Sequence, residues 1–422
     1  MKILLITPGS GDRFFCGNCF RDHLYAHALR NAGYEVVMMP LYLPIAAAWF
    51  DAATPLFFPA TSYYVAHQYF GKRAIPRFLE KVLDAPPLLR FASSLSGTTS
   101  AAGMEQMTLS MIQGDDHHFA RQAQKIIHRI VHHERPDVVH LSSSLLIGIA
   151  KAIKNQIDIP IICSLQDEEI WIDGLDTFHA REAWKSIGQN AKYIDRFMVS
   201  SQFYKSVVLH RMPEITEVRV VYPGVELQKY ASSAYPDDPT IGFFYRMSAQ
   251  NGLDILAEAF ILLKKENTIE RLKLHIGGGC TPADKKFLRK IHKMLAPFTD
   301  CVVWHQPYTP ARHAPFYQGI SAICVPITFE ESVGLYLCEA FAAGRPAVGP
   351  DTGSFAEIMA DGGVLYQPNT PDALARAIQK LFADKDYFAS CSQNALRLSQ
   401  HRYNQNVLAD QLSEIYLPTP CP

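Results

Sequence analysis

The residues in this sequence best suited to chemistry are two glutamates, Glu331 and Glu339, which seven residues separate. Glu331 lies just before a predicted helix, and Glu339 lies in its second turn. The first backbone N–H groups of that helix belong to Val333, Gly334 and Leu335, and this end favours an anion because such groups have no helical partner. A carboxylate beside the anion can accept hydrogen bonds from sugar hydroxyls. The pattern indicates phosphate and sugar binding, although two solvated glutamates beside an ordinary helix would have the same spacing.

A second candidate is Arg246, which follows a predicted strand at 240–245. A guanidinium there suits bidentate binding of a diphosphate, whereas an ordinary surface arginine is the alternative interpretation. The loop at 9–14 is not a dinucleotide fingerprint, because it lacks the last glycine and the next strand ends without an acidic residue for ribose. Cys16 and Cys19 have CxxC spacing. No second CxxC completes a zinc site, so a structural or ligand-loop role is favoured over redox or metal chemistry.

Two further pairs of residues are candidates for the acceptor side of a reaction. Gln166 and Asp167 directly follow the predicted strand at 159–165, and α/β proteins bind ligands beyond the carboxyl ends of their strands. Tyr63 and Tyr64 belong to an aromatic stretch at 49–70. These rings are candidates for stacking on a sugar or meeting a lipid carrier, and an ordinary local core is the alternative.

The elements that must position these residues follow an α/β rhythm in both halves of the chain. The first segment, 1–40, has the order strand, glycine loop, helix, glycine cap and strand, which predicts a βαβ unit and a parallel sheet. An aromatic insertion at about 41–115 interrupts the rhythm, and a stretch rich in proline and aspartate at 223–239 is the predicted linker. We therefore expect an α/β protein with two Rossmann-like domains and a cleft between them.

Composition excludes several classes of protein. The 422 residues include 40 Lys+Arg and 41 Asp+Glu, a formal net charge of −1, so no global field favours nucleic acid or an anionic membrane, although a local basic patch remains open. Hydrophobic residues make up 48% and charged residues 19%, which excludes a disordered chain. Nine scattered cysteines do not suggest a disulfide framework. Without a long apolar run or a signal-like start, we expect a soluble cytoplasmic protein with peripheral contact at the inner membrane face left open.

The Glu331–Glu339 spacing resembles the Glu–seven residues–Glu signature of family 4 retaining glycosyltransferases, which have the GT-B architecture of two facing Rossmann-like domains. Neighbouring residues that also match the family are Val325, Pro326, Gly344, Pro346, Ala347, Gly353 and Glu357. The resemblance implies that Glu331 contacts the donor sugar and Glu339 the ribose of the nucleotide. It also implies that the backbone of Val333, Gly334 and Leu335 holds the diphosphate.

Other positions either match the family or depart from it. Gly17 matches a glycine near the donor diphosphate, and Arg246 matches the arginine that binds this group. Asn251 stands where the family has lysine, so the charge must come more from Arg246 and the helix. Gln166 and Asp167 stand where the family commonly has His-Asp, which makes Asp167 a catalytic candidate and Gln166 an acceptor-binding one.

The resemblance implies transfer of a sugar from a nucleoside diphosphate sugar to a hydroxyl of a glycan, glycolipid or small molecule, with retained anomeric configuration. The leaving diphosphate would help to take the acceptor proton, with no metal and no other cofactor. The expected domains are an acceptor domain at 1–223, a donor domain at 224–399, and a last helix at about 400–422 that packs back on the first. Alternatives are a nucleotide-sugar epimerase or hydrolase of the same fold, or a catalytically weak binding protein. Nucleic acid is not an expected partner.

Overall fold

The structure is a computed structural model. The residues that it describes are 1–8, 17–41, 104–114, 117–230, 234–306 and 313–417. The predicted acceptor residues Tyr63 and Tyr64 lie outside these ranges, and so does Cys16. The described chain divides into two compact units, the first comprising Met1–Ser200, Tyr204–Val221 and Ala409–Pro422, and the second comprising Ser201–Phe203 and Tyr222–Leu408.

The first unit is built on a parallel sheet of largely buried strands, and the sequence predicts such a sheet. Its strands are β1 (Lys2–Thr7), β2 (Glu35–Pro40), β3 (Val138–Leu141), β4 (Ile161–Ser164), β5 (Arg196–Val199) and β6 (Val218–Val220). Its helices are α1 (Gly17–Asn31), α2 (Glu105–Gln113), α3 (His117–Arg129), α4 (Gly148–Lys154), α5 (Glu168–Ile172), α6 (Thr177–Asn190) and α7 (Gln202–Arg211). The sheet order is β2-β1-β3-β4-β5-β6.

The second unit has a parallel sheet of its own. Its strands are β7 (Thr240–Phe244), β8 (Lys273–Gly277), β9 (Val302–His305), β10 (Ala322–Cys324), β11 (Ala347–Pro350) and β12 (Gly363–Tyr366). The helices that follow are α8 (Leu253–Glu266), α9 (Lys285–Leu295), α10 (His313–Gln318), α11 (Leu335–Ala342), α12 (Phe355–Met359), α13 (Pro371–Ala383) and α14 (Lys385–His401). The last helix, α15 (Gln405–Tyr416), begins in the second unit and belongs to the first unit from Ala409 onwards. The sheet order is β12-β11-β10-β7-β8-β9.

Strand order locates the place where each unit can bind a ligand. Read from β9, the second sheet has the order of the Rossmann fold, with β7 in the position of its first strand and β10 in that of its fourth. The direction of winding reverses between β7 and β10, so the loops after these two strands diverge and leave a crevice beyond the sheet. In the first sheet the reversal falls between β1 and β3. Arg246 follows β7 and Glu331 follows β10, which places both predicted residues at the switch point of the second unit.

No helix within the described ranges is both long and apolar enough to cross a membrane.

Candidate functional site

The loops after β7 and β10 contact each other directly. The backbone N–H of Thr328 donates to the carbonyl oxygen of Gln250 at 2.9 Å. Gly252 has φ +73° and lies so close to Pro326 that a Cβ would stand 1.9 Å from the Pro326 carbonyl oxygen. Only glycine combines that backbone conformation with that approach. The two loops are therefore fixed against each other, and the side chains that they carry form one site.

Arg246 is held by a carboxylate that follows β8. Its Nε lies 3.2 Å from Asp284 Oδ2 and its Nη2 lies 3.1 Å from Asp284 Oδ1, which is a bidentate contact. Asp284 also accepts hydrogen bonds from the backbone N–H and the hydroxyl of Thr281. Burial alone would raise the pKa of Asp284, but the hydrogen bonds from Arg246 and Thr281 outweigh burial and lower it. The guanidinium is thus oriented by an ionised partner while 27% of the Arg246 side chain stays exposed.

Asn251, at the position where the resemblance predicts a lysine, is buried and has a structural contact. Its Nδ2 donates to the backbone carbonyl oxygen of Arg246 at 2.7 Å, across the turn between β7 and α8. The side chain thereby fixes the loop that carries Arg246. At this position the Asn251 side chain contributes a hydrogen bond to the loop, whereas a lysine would contribute a positive charge.

Glu331 is buried at the end of the loop that enters α11. The backbone N–H of Ser354 donates to the Glu331 carbonyl oxygen at 2.9 Å, and Gly353 packs so closely that a Cβ would lie 2.7 Å from the Glu331 nitrogen. Val333 and Gly334 follow, and Leu335 begins the helix. Burial, together with the nearby Glu331 carboxylate, raises the pKa of the Tyr336 hydroxyl well above its usual value. The Tyr336 ring lies 5.2 Å from that of Tyr245, so this helix start adjoins the Arg246 loop.

Glu339 is fully buried and bonded to the protein through both carboxylate oxygens. The Tyr230 hydroxyl donates to Oε1 at 2.7 Å, and the Tyr317 hydroxyl donates to Oε2 at 2.7 Å. His313 Nε2 lies 2.9 Å from Oε1. These contacts hold the Glu339 carboxylate in one orientation.

The first unit places polar side chains beyond β3 and β4. Gly17 is the first residue of α1. On the same helix, Arg21 and Asp22 are buried and paired at 2.9 Å. Gln166 Nε2 donates to the Ser142 carbonyl oxygen at 2.9 Å, and an Arg21 nitrogen donates to the same oxygen at 3.2 Å.

Three consecutive acidic residues follow Gln166 and occupy different environments. Asp167 has φ +52°, in the left-handed region, and precedes α5. Glu168 is buried and accepts hydrogen bonds from the Ser143 hydroxyl and the Ser144 backbone, each at 3.1 Å. The Tyr204 hydroxyl lies 2.9 Å from Glu168 Oε2 and 2.6 Å from Glu169 Oε2. Burial raises the pKa of Glu169 to about 7, although its hydrogen bond to Tyr204 works in the opposite direction.

The structure thus groups the predicted donor residues that lie in the second unit. Those gathered around the β7 and β10 loops and α11 are Arg246, Asn251, Glu331, Val333, Gly334, Leu335 and Glu339. Gly17, Gln166 and Asp167 lie in the first unit. Sequence reasoning missed Asp284, although the spacing Thr281-x-x-Asp284 before α9 is the capping-box pattern. It also missed Tyr230, Tyr317 and His313, whose separation along the chain gives no local signal.

Among the described residues, no group of three or more His, Cys, Asp or Glu side chains is placed to hold a metal ion.

Fold and site together define a class. Each unit is a Rossmann-like α/β layer, and the second brings a cation, a carboxylate and a helix start together at its switch point, which suits a phosphorylated sugar nucleotide. These features are those of the GT-B fold. Residues 238–384 match the family model of glycosyl transferases group 1, which confirms the predicted resemblance to glycosyltransferases.

Solved structures show the same fold over almost the whole chain. Sucrose-phosphate synthase from Thermosynechococcus elongatus has a TM-score of 0.68 at 17% identity, covering 99% of this chain and 98% of that one. Anabaena HepE, in complex with UDP and glucose, has a TM-score of 0.67 at 14% identity, covering 98% of both chains. The predicted fold class, α/β with GT-B architecture, is therefore confirmed.

Curated relatives match a shorter part of the chain. A D-inositol 3-phosphate glycosyltransferase of Streptomyces bingchenggensis is 27% identical over 221 residues, which are 48% of this chain and 48% of the relative. A putative glycosyltransferase of Bacillus subtilis, YtcC, is 24% identical over 243 residues, or 51% of this chain and 58% of the relative. The chain spans about half the length of the curated relatives it matches.

Proposed function

We propose that this protein is a glycosyltransferase that moves a sugar from a nucleoside diphosphate sugar to a hydroxyl acceptor with retention of configuration. The observation that carries the proposal is the junction of the β7 and β10 loops. There, an oriented and partly exposed Arg246 adjoins the start of α11, which Glu331 precedes. The match of residues 238–384 to glycosyl transferases group 1 supports it.

Each part of the junction has a role in the proposed reaction. The bond between the anomeric carbon and the phosphate oxygen breaks, and a bond from that carbon to the acceptor oxygen forms on the same face. Arg246 and the N–H groups from Val333 to Leu335 stabilise the negative charge that develops on the leaving diphosphate. The acceptor proton passes to that diphosphate, and Glu331 binds the sugar. This route requires no metal, so activity should survive EDTA.

The first unit is the proposed acceptor domain. Gln166 and Asp167 follow β4, where α/β proteins bind ligands, and we assign them to acceptor binding and to catalysis respectively. Asp167 holds a left-handed backbone conformation, which is uncommon outside glycine and often accompanies a functional position. Gly17, at the start of α1, is proposed to lie near the donor diphosphate.

UDP-sugars are the first donors to test, because HepE was solved with UDP and with UDP-glucose. The experiment incubates the protein with each UDP-sugar, with and without candidate polyol and glycan acceptors, and analyses products by NMR. Transfer to the acceptor with an unchanged anomeric configuration is the expected result. Free sugar alone would identify a hydrolase, and an altered donor sugar would identify an epimerase.

A matched variant tests the assigned role of Glu331. Glu331→Ala should cut turnover far more than nucleotide affinity, because the carboxylate is assigned to the sugar and not to the diphosphate. Glu330→Ala, which removes the neighbouring carboxylate, is the control. Unchanged turnover in Glu331→Ala would remove that residue from the mechanism.

The second candidate function is binding of a nucleotide sugar without efficient transfer. The observation that favours this function is the hydrogen bond from Asn251 to the Arg246 backbone. Asn251 fixes the loop but adds no positive charge, whereas the resemblance predicts a lysine at this position. Such a protein would bind the diphosphate through Arg246 and yield neither transferred nor free sugar.

A further inference from the structure

Helix α9 of the second unit carries a row of cations on its outer side. Lys285, Lys286, Arg289, Lys290 and Lys293 are all exposed, and together we call them the basic face. The opposite side of the helix, with Leu288, Ile291 and Leu295, is buried in the unit. The orientation of the basic face is therefore fixed, because the opposite, apolar side of α9 packs in the core of the unit.

Among the residues that the structure describes, no ion pair neutralises the basic face. Within the described residues, no member of the face lies within 4.0 Å of a carboxylate. By contrast, Arg271 and Lys273 both pair with Asp238. The helix has no acidic residue of its own, and Asp284, which directly precedes it, is turned towards Arg246 and Thr281. Five charges thus remain concentrated on one surface of a chain whose total charge is close to zero.

The length of the basic face limits which anionic partner can contact all five cations. From Lys285 to Lys293 the helix advances by about 12 Å, which is longer than one diphosphate, so a single donor molecule cannot engage all five cations. A cluster of four to eight basic side chains on an amphipathic helix suits the anionic surface of a membrane. In the last turn of α9, the His292 ring stacks on the ring of Trp304, with the two ring centroids 3.9 Å apart. Tryptophan favours the interface between lipid and water.

We propose that the basic face of α9 docks this protein on an anionic lipid bilayer. Lys and Arg side chains reach the lipid headgroups while Leu288, Ile291 and Leu295 stay in the core, so the contact is electrostatic and reversible. Since α9 begins one residue after Asp284, the docked surface adjoins the loop that orients Arg246. The inference goes beyond the proposed function and does not depend on it.

Co-sedimentation of the full chain with vesicles tests the proposal. One set of vesicles is pure phosphatidylcholine, and the other contains about 30% phosphatidylglycerol. We expect binding to the anionic vesicles alone, and loss of binding at about 0.5 M salt because ions screen the contact. The test variant is Lys286→Glu, Lys290→Glu and Lys293→Glu in one chain. It should bind at least about tenfold more weakly, since each basic residue near the surface contributes about a fivefold factor.

The control variant makes the same charge change on exposed residues of helices α13 and α14, with Arg376→Glu, Lys385→Glu and Arg397→Glu. It should bind as the wild type does, and circular dichroism should show that both variants are folded. Equal binding of the test variant and the wild type would overturn the proposal. So would equal binding to neutral vesicles, no binding to either vesicle, or retention of the wild type by a DNA duplex and not by lipid.

Discussion

At the scale of single residues, the pairing of Arg246 with Asp284 governs how the donor site presents its positive charge. Asp284 is nearly buried, and its two oxygens lie 3.1 and 3.2 Å from Arg246 nitrogens. A charge-assisted bidentate contact fixes the plane of a guanidinium, and the more so when the carboxylate is itself held. Thr281 holds Asp284 in place, because its backbone N–H and its hydroxyl donate to Asp284 Oδ2 at 2.8 and 2.6 Å.

We therefore predict that Asp284→Asn weakens nucleoside diphosphate binding by about tenfold, or about 1.4 kcal/mol, because an amide cannot offer Arg246 two charged acceptors. Isothermal titration calorimetry measures the change. Asp300→Asn removes an exposed carboxylate from the same unit and should leave affinity unaltered. Tighter binding by Asp284→Asn would mean that Asp284 competes with the diphosphate and does not position Arg246.

A second prediction concerns Glu169 and pH. Burial raises the pKa of this carboxyl group to about 7, so between its ordinary value and 7 the folded protein binds more protons there than the unfolded chain does. The free energy of unfolding should then fall as pH rises through this window, by at most about 3 kcal/mol. Thermal melts of the wild type and Glu169→Gln across that range test this. The variant should lack this part of the pH dependence, and parallel curves for the two proteins would contradict the assignment.

At the scale of elements, the close approach of Gly252 to Pro326 joins the two site-bearing loops. Gly252→Ala would force a methyl group to within 1.9 Å of a carbonyl oxygen, on a backbone with φ +73°. We predict a loss of at least about 2 kcal/mol in the free energy of unfolding, measured by urea denaturation. Gly319→Ala is the matched control, since the nearest atom to its new Cβ would lie at 3.6 Å. Equal stability of the two variants would show that the loops can separate freely.

Strands and helices were predictable from the sequence where a short run of neighbouring residues defines them. The strands predicted at 159–165 and 240–245 are β4 (Ile161–Ser164) and β7 (Thr240–Phe244) in the structure. Glu331 and the start of α11 were predictable because a short spacing and a helix boundary define them. Asp284 was not predicted to hold Arg246, since the contact joins residues 38 positions apart along the chain.

Glu339 shows a second reason why sequence reasoning falls short. Its position on α11 was predicted, but its surroundings depend on how three other segments fold. Tyr230, Tyr317 and His313 converge on one carboxylate from positions that have no common spacing. The assignment of Glu339 to ribose binding stays a prediction.

At the scale of the whole molecule, the central claim is that this GT-B protein binds a nucleoside diphosphate through its second unit. The Rossmann strand order, the junction of two loops and the oriented Arg246 all lead to that claim. Binding is the step that every catalytic role proposed above requires.

The measurement that tests this claim most directly is a thermal-shift titration with UDP, GDP, ADP, CDP and NAD, on the wild type and Arg246→Ala. One nucleoside diphosphate at about 100 times its Kd should add about 2.7 kcal/mol to stability in the wild type. The same ligand should leave Arg246→Ala unshifted, and NAD should shift neither protein. Stabilisation by NAD alone, by no diphosphate, or equally in both proteins would contradict the claim.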